Sequence, residues 1–139
     1  MEVIEKPTHK DRKERWAKLG ERLGFRVRKE FEEKGSRCDV VWRDDFRGKL
    51  VDESLWIPII AIEVETSLVR KMYKGDILGF NTLKPMLGII HIANSKIPKE
   101  ELETLLKSVQ LYIDTQAQVR VRIFLDENLE DLERKAMMR

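Results

Sequence analysis

The sequence predicts an α/β domain, a mixed central sheet with helices on its faces. Three observations carry that prediction. Residues 57–64, Ile57-Pro58-Ile59-Ile60-Ala61-Ile62-Glu63-Val64, form an isoleucine- and valine-rich run of the kind buried within a sheet. Upstream, 25–31 and 36–42 are strand-like segments separated by the turn Glu32-Glu33-Lys34-Gly35, so the first three strands are expected to form an antiparallel meander. Downstream, strand patterns at 86–93 and 118–125 alternate with helical patterns, which calls for crossover connections and parallel neighbours.

Taken in order, residues 1–7 are polar and end at Pro7. Thr8 with Asp11 three residues on predicts a capping box that opens a helix over about 9–22. Trp16, Leu19 and Leu23 are its expected buried stripe, Gly20 permits close approach, and Glu14 and Glu21 lie on the solvent side. Gly24 stops it. Phe25–Phe31 alternates apolar and charged residues, a half-buried strand. In the next strand, Ser36–Trp42, simple alternation puts Arg37, Asp39 and Val41 on one face and Cys38, Val40 and Trp42 on the other. Residues 43–56 are charged and glycine-punctuated, an exposed excursion before the third strand.

Thr66 and Ser67 suit the N-cap of a helix over about 68–84, with Val69, Met72, Tyr73, Phe80 and Leu83 inward and Pro85 closing it. Arg70, Lys74 and Asn81 share one flank of that helix. His91, inside the apolar strand Met86–Ala93, is expected to be a satisfied core histidine. Pro98 opens a helix whose Leu102, Leu105, Leu106, Val109 and Ile113 recur at helical spacing. In the strand Gln118–Leu125, Val119, Val121, Ile123 and Leu125 face inward and Arg120 and Arg122 outward; a charged helix over about 127–138 follows.

The 139 residues contain no Gly/Ser/Pro-rich linker and predict one domain over 1–139. Charged residues make up 37% of the chain, well above the usual quarter, yet the net charge is only +2. That balance does not argue for nucleic-acid binding; a binding face would have to come from how the charges are distributed. Cys38 is the only cysteine, which excludes an internal disulfide and fits a reducing compartment. The N-terminal segment is charged and no apolar run approaches the length of a membrane span, so a soluble, cytoplasmic protein with no membrane partner is expected.

The chemistry concentrates at the end of the apolar run. Alternation sets Ile60, Ile62 and Val64 on one side and Glu63 and Glu65 on the other, roughly 7 Å apart at about 3.3 Å of rise per residue. Buried like charges are costly, so a cation is expected opposite them, either a divalent metal or an Arg or Lys from a neighbouring element. Asp39 is the other acid out of place, since Asp is disfavoured in strands. A salt bridge to a basic neighbour such as Arg37 is the structural alternative for it.

Arg37-Cys38-Asp39-Val40-Val41 followed by Ile62-Glu63-Val64-Glu65-Thr66-Ser67, in αβββαβ order over about residues 9–93, resembles the PD-(D/E)XK nuclease superfamily, which includes restriction endonucleases and archaeal Holliday-junction resolvases. The resemblance implies a restriction endonuclease-like αβββαβ core, extended here by a C-terminal helix–strand–helix. It implies that Asp39 and Glu63 bind Mg²⁺, with Mn²⁺ able to substitute, and that the backbone carbonyl of Val64 adds a ligand. At position 65 the family's usual lysine is glutamate, as in a minority of restriction enzymes. Glu65 is then expected as a further metal ligand or as general base, and Lys74 or Arg70 as the source of positive charge. The family's helix-one glutamate has no good match, because Glu14 and Glu21 lie on the solvent side.

The implied function is a Mg²⁺-dependent DNA endonuclease with Asp39, Glu63, Glu65 and Lys74 as catalytic residues and no organic cofactor. Arg43, Arg47, Lys49, Arg70, Lys74 and Asn81 are expected to form its DNA-binding face. A chain of this size holds one centre, so cutting both strands calls for a homodimer. Position 65 and the missing helix-one glutamate favour the alternative, a catalytically inactive nuclease-like fold acting as a DNA-binding or assembly module. A third reading is a small α/β protein whose acids are all salt-bridged.

Overall fold

Thr8 opens the first helix as its sequence context predicts. Its hydroxyl accepts from the Asp11 N–H at 3.2 Å, and the Asp11 carboxylate accepts from the Thr8 N–H at 3.1 Å. The computed structural model describes residues 8–33, 35–43, 58–66 and 72–138. Within them run α1 (His9–Arg22), β1 (Arg26–Glu33), β2 (Ser36–Arg43), β3 (Pro58–Glu65), α2 (Met72–Leu83), β4 (Leu87–Ile92), α3 (Lys99–Gln116), β5 (Val121–Leu125) and α4 (Asp126–Met137). The strands form one mixed sheet in the order β1-β2-β3-β4-β5. β1–β2 and β2–β3 are antiparallel, while β3–β4 and β4–β5 are parallel. The expected α/β class, with its meander and crossovers, is what folds.

Both faces of the sheet are covered, which is why β3 and β4 are apolar almost throughout. On one face α1 and α4 bury Trp16, Ala17, Leu19, Leu129 and Ala136 against Val40, Trp42, Ile62, Val64 and Ile89. On the other, α2 and α3 bury Tyr73, Ile77, Phe80, Val109 and Ile113 against Cys38, Val41, Ala61 and Ile90. Gly20 is a contact point: a Cβ there would lie 2.5 Å from the Trp42 indole nitrogen. No described helix is long and apolar enough to cross a membrane.

Three local expectations change. Leu23, assigned to the buried stripe of α1, is the helix C-cap and is 37% exposed, because the chain turns away at Gly24. Cys38 does not share a face with Val40 and Trp42. The whole β1–β2 hairpin changes face at one level: the Val27–Trp42 and Lys29–Val40 pairs precede it, and the Phe31–Cys38 pair, packed on the α2 side, follows. Glu30 marks the switch with φ 52°, a left-handed backbone held by ion pairs to Arg37 and Lys13. The last strand starts at Val121 rather than Gln118, since the Gln118 N–H is taken by the Asn81 side chain at 2.7 Å.

His91 is a satisfied core histidine, as expected. It is fully buried, its Nδ1 accepts from the Trp16 indole N–H at 2.8 Å, and its Nε2 donates to Asp126 Oδ1 at 2.7 Å. Arg12, 2% exposed, grips the same carboxylate through two hydrogen bonds of 2.9 Å. Burial pushes His91 toward the neutral form. Burial also pushes Asp126 up, but its hydrogen bonds from Arg12 and His91 outweigh that and hold it below the usual range.

Two glycines of α1 and α2 give opposite expectations. Gly20→Ala drives a methyl into the Trp42 ring and should cost about 1–3 kcal/mol, as overpacked cores do. At Gly79, in α2, a methyl would meet nothing within 4 Å, so Gly79→Ala should gain roughly 0.5–1 kcal/mol through helix propensity. Urea unfolding of both variants checks the pair.

Candidate metal centre

The ordered pairing of β2 with β3 ends at Val40–Ile62, one residue short of Asp39 and Glu63. Beyond that pair, side chains replace the backbone ladder. Glu63 Oε1 accepts from the Asp39 N–H at 3.1 Å, and Asp39 Oδ2 accepts from the Val64 N–H at 2.8 Å. The Cys38 thiol donates to the Ile62 carbonyl at 3.3 Å. The two strands therefore separate with their backbone donors satisfied by carboxylates, and the acids stand where the sheet opens.

Asp39 and Glu63 then diverge. Asp39 Oδ2 also lies 3.1 Å from His9 Nε2 at the start of α1, whereas Glu63 turns toward α2. There Glu63, Glu65 and Asp76 bring carboxylate oxygens within 4.8 Å of one another. Sequence alternation correctly put Glu63 and Glu65 on one face. It did not supply the third member. Asp76 looks like an ordinary helix acid in Lys74-Gly75-Asp76-Ile77, and the available signal was its spacing from Tyr73, Ile77 and Phe80, which sets it on the buried side of α2.

The other expected residues lie elsewhere. Arg37 pairs with Glu30, at 2.7 Å, rather than with Asp39. Lys74 is exposed on α2, its Nζ 5.5 Å from the centroid of the Tyr112 ring of α3. Asn81 is engaged in structure at the other end of α2, donating to the Gln116 carbonyl at 3.0 Å and accepting from Gln118. Arg43, at the end of β2, sits 5.9 Å over the Phe31 ring. Val64 takes part through its N–H to Asp39. Arg47, Lys49 and Arg70 lie outside the described residues.

Electrostatics set the three-acid cluster apart from a solvated patch. None of its members has an ion pair with a described residue. Burial, followed by the charge of Asp39, pushes Glu63 up to about 8. Burial, and the hydrogen bond it makes as a protonated acid to Glu65, push Asp76 up to about 11. Burial, with Glu63 beside it, also raises Cys38 and keeps it a thiol. Asp76 Oδ2 is buried and has no hydrogen-bond partner among the described residues. Three carboxylates offering hard oxygen ligands could hold a hard divalent cation such as Mg²⁺ or Mn²⁺, which completes its shell with water.

No family model, curated protein or solved structure matches this chain.

Raised acids make the folded state hold protons that the unfolded chain releases near 4.5 and 3.8. Without divalent metal, the contribution of these two acids to stability should be greatest below those values and be lost as pH rises, through about 8 for Glu63 and about 11 for Asp76. Asp76→Asn keeps the shape and no longer has to take up a proton on folding, so in EDTA it should melt higher than the wild type at pH 8 and show a flatter pH dependence. Melting curves between pH 5 and pH 8 measure both (a window of about three units around these groups).

Proposed function

We propose that this protein is a divalent-metal-dependent phosphodiesterase acting on DNA, with Glu63, Glu65 and Asp76 holding Mg²⁺. The observation that carries this reading is the convergence of three carboxylates within 4.8 Å, with no cation from the described residues between them. The orphaned Asp76 Oδ2 supports it independently. The likeness of Asp39 and Glu63-Val64-Glu65 to the PD-(D/E)XK pattern adds the substrate class, and the restriction endonuclease-like core belongs to the same proposal.

A bound Mg²⁺ supplies relief of charge on the phosphate and a more acidic attacking water. The rest is work for the chain. The Asp39 N–H orients Glu63, while Val64 and His9 hold Asp39 in place beside it. Glu65 ends β3 at the position of the family's lysine and accepts the proton of the attacking water. Lys74, exposed two residues before Asp76, meets the DNA backbone, and a homodimer brings two centres to the two strands.

One observation favours the competing reading, an inactive nuclease-like module. Asp39 is already engaged by Val64 and His9, so its carboxylate is occupied in holding the fold.

Incubation with linear, flapped and branched DNA in Mg²⁺ or Mn²⁺ separates the two. Cleavage should require the metal, stop in EDTA, and fall at least about 100-fold in Glu63→Gln, Glu65→Gln and Asp76→Asn. Metal at about 100 times its Kd should stabilise the wild type by about 2.7 kcal/mol, and these variants by much less. Stabilisation without cleavage of any DNA would leave the inactive module. Neither effect would remove the metal centre altogether.

Lys74 gives a separate expectation for DNA affinity. Lys74→Glu should weaken binding across all sequences and reduce the slope of log affinity against log salt by about one. Anisotropy titrations between about 50 and 200 mM salt report that slope.

A further inference from the structure

β5 ends the sheet, and among the described residues its one strand neighbour is β4. The Gly88 N–H donates to the Arg120 carbonyl at 2.8 Å, which sets the parity of the strand. Arg120, Arg122 and Phe124 direct their backbone groups to β4, and Val121, Ile123 and Leu125 direct theirs to the open side. The Leu125 N–H is taken by the Asn128 side chain at 2.7 Å. The outward N–H and C=O groups of Val121, whose side chain is buried and which is 8% exposed, and of the half-buried Ile123 have no partner among the described residues.

Side chains alternate along the same edge. Ile123 and Leu125 line a groove of about 380 Å³ with Leu106, Lys107 and Gln110 of α3 and Asn128 of α4. Arg120 and Arg122 are exposed on the α1–α4 side, the side on which Phe124 packs. An added strand would therefore meet an apolar hollow with every second side chain and cations with the others. A second copy of this chain fits poorly in the register centred on Arg122. Antiparallel self-pairing about Arg122 sets arginine opposite arginine, and like charges directly across a strand pair are destabilising.

We propose that the β5 edge is a docking site for an extended segment of another protein, with alternating apolar and acidic side chains. Backbone pairing to Val121 and Ile123 gives the segment its direction. Its apolar residues enter the groove beside Leu106 and Ile123, and its acids lie beside Arg120 and Arg122.

A fluorescein-labelled peptide of alternating valine and glutamate is the probe, followed by anisotropy and by hydrogen exchange of the full chain. Saturable binding is expected, with exchange slowed at the amides of Val121 and Ile123. Arg122→Glu, a surface change whose folding circular dichroism can verify, should weaken binding at least about tenfold, a loss of about 1.4 kcal/mol. The matching valine–lysine peptide should not bind the wild type. The proposal is overturned by no binding, by equal binding of the two peptides, by an unchanged affinity in Arg122→Glu, or by protection confined to other elements. Self-association through β5 in sedimentation would overturn it too, by assigning the edge to a second copy.

Discussion

The buried chain of polar groups from Arg12 through Asp126 and His91 to Trp16 is the interaction on which one whole face of this fold depends. It joins α1 to β4 and α4 across 114 residues of sequence, through hydrogen bonds of 2.7–2.9 Å. A buried charge is tolerated only when its partners are complete, and here each member completes another. Arg12 neutralises Asp126, Asp126 fixes the His91 tautomer, and the free lone pair of His91 receives the Trp16 N–H. Removing any one of them strands a polar group in the interior, at about 1–3 kcal/mol for a neutral group and more for a charge. The Asn94 side chain accepts from the Asp126 N–H at 3.0 Å, so the network also ties down the loop that leaves β4.

That anchoring has a consequence at the candidate site. Fixing α1 over the sheet sets its first residue, His9, against Asp39, and so steadies the carboxylate that receives the Val64 N–H. The opening between β2 and β3 is thus bounded by α1 on one side and α2 on the other. Carboxylates at such an opening serve two purposes. Asp39 and Glu63 satisfy backbone groups that the interrupted ladder leaves unpaired, and Glu63 also turns an oxygen toward Glu65 and Asp76. Burial makes that cluster of acids costly without a cation.

The two networks are opposite solutions to burying acids. Asp126 is surrounded by donors and stays ionised, its acidity strengthened by Arg12 and His91. Glu63 and Asp76 face other acids and are pushed toward their protonated forms. Structural acids in folded proteins tend to the first arrangement. The second is the arrangement associated with functional sites, which makes the acids of β3 and α2, rather than those of α4, the candidate site.

Local pattern alone determined the helices, the strands, their antiparallel and parallel order and the shared face of Glu63 and Glu65, because helical and strand periodicities are properties of short stretches. The glycine that lets α1 approach Trp42 was legible for the same reason. Tertiary structure decided the rest. Asp76 joined the site because α2 packs beside the end of β3, a contact between residues more than ten positions apart. Asp39 stands apart from the cluster because its carboxylate accepts from the Val64 N–H and lies against His9, partners that strand alternation cannot foresee. Arg12 reads as one more charge on a polar helix until Asp126 arrives from the far end of the chain, since a side chain's partner is set by the fold that brings it near.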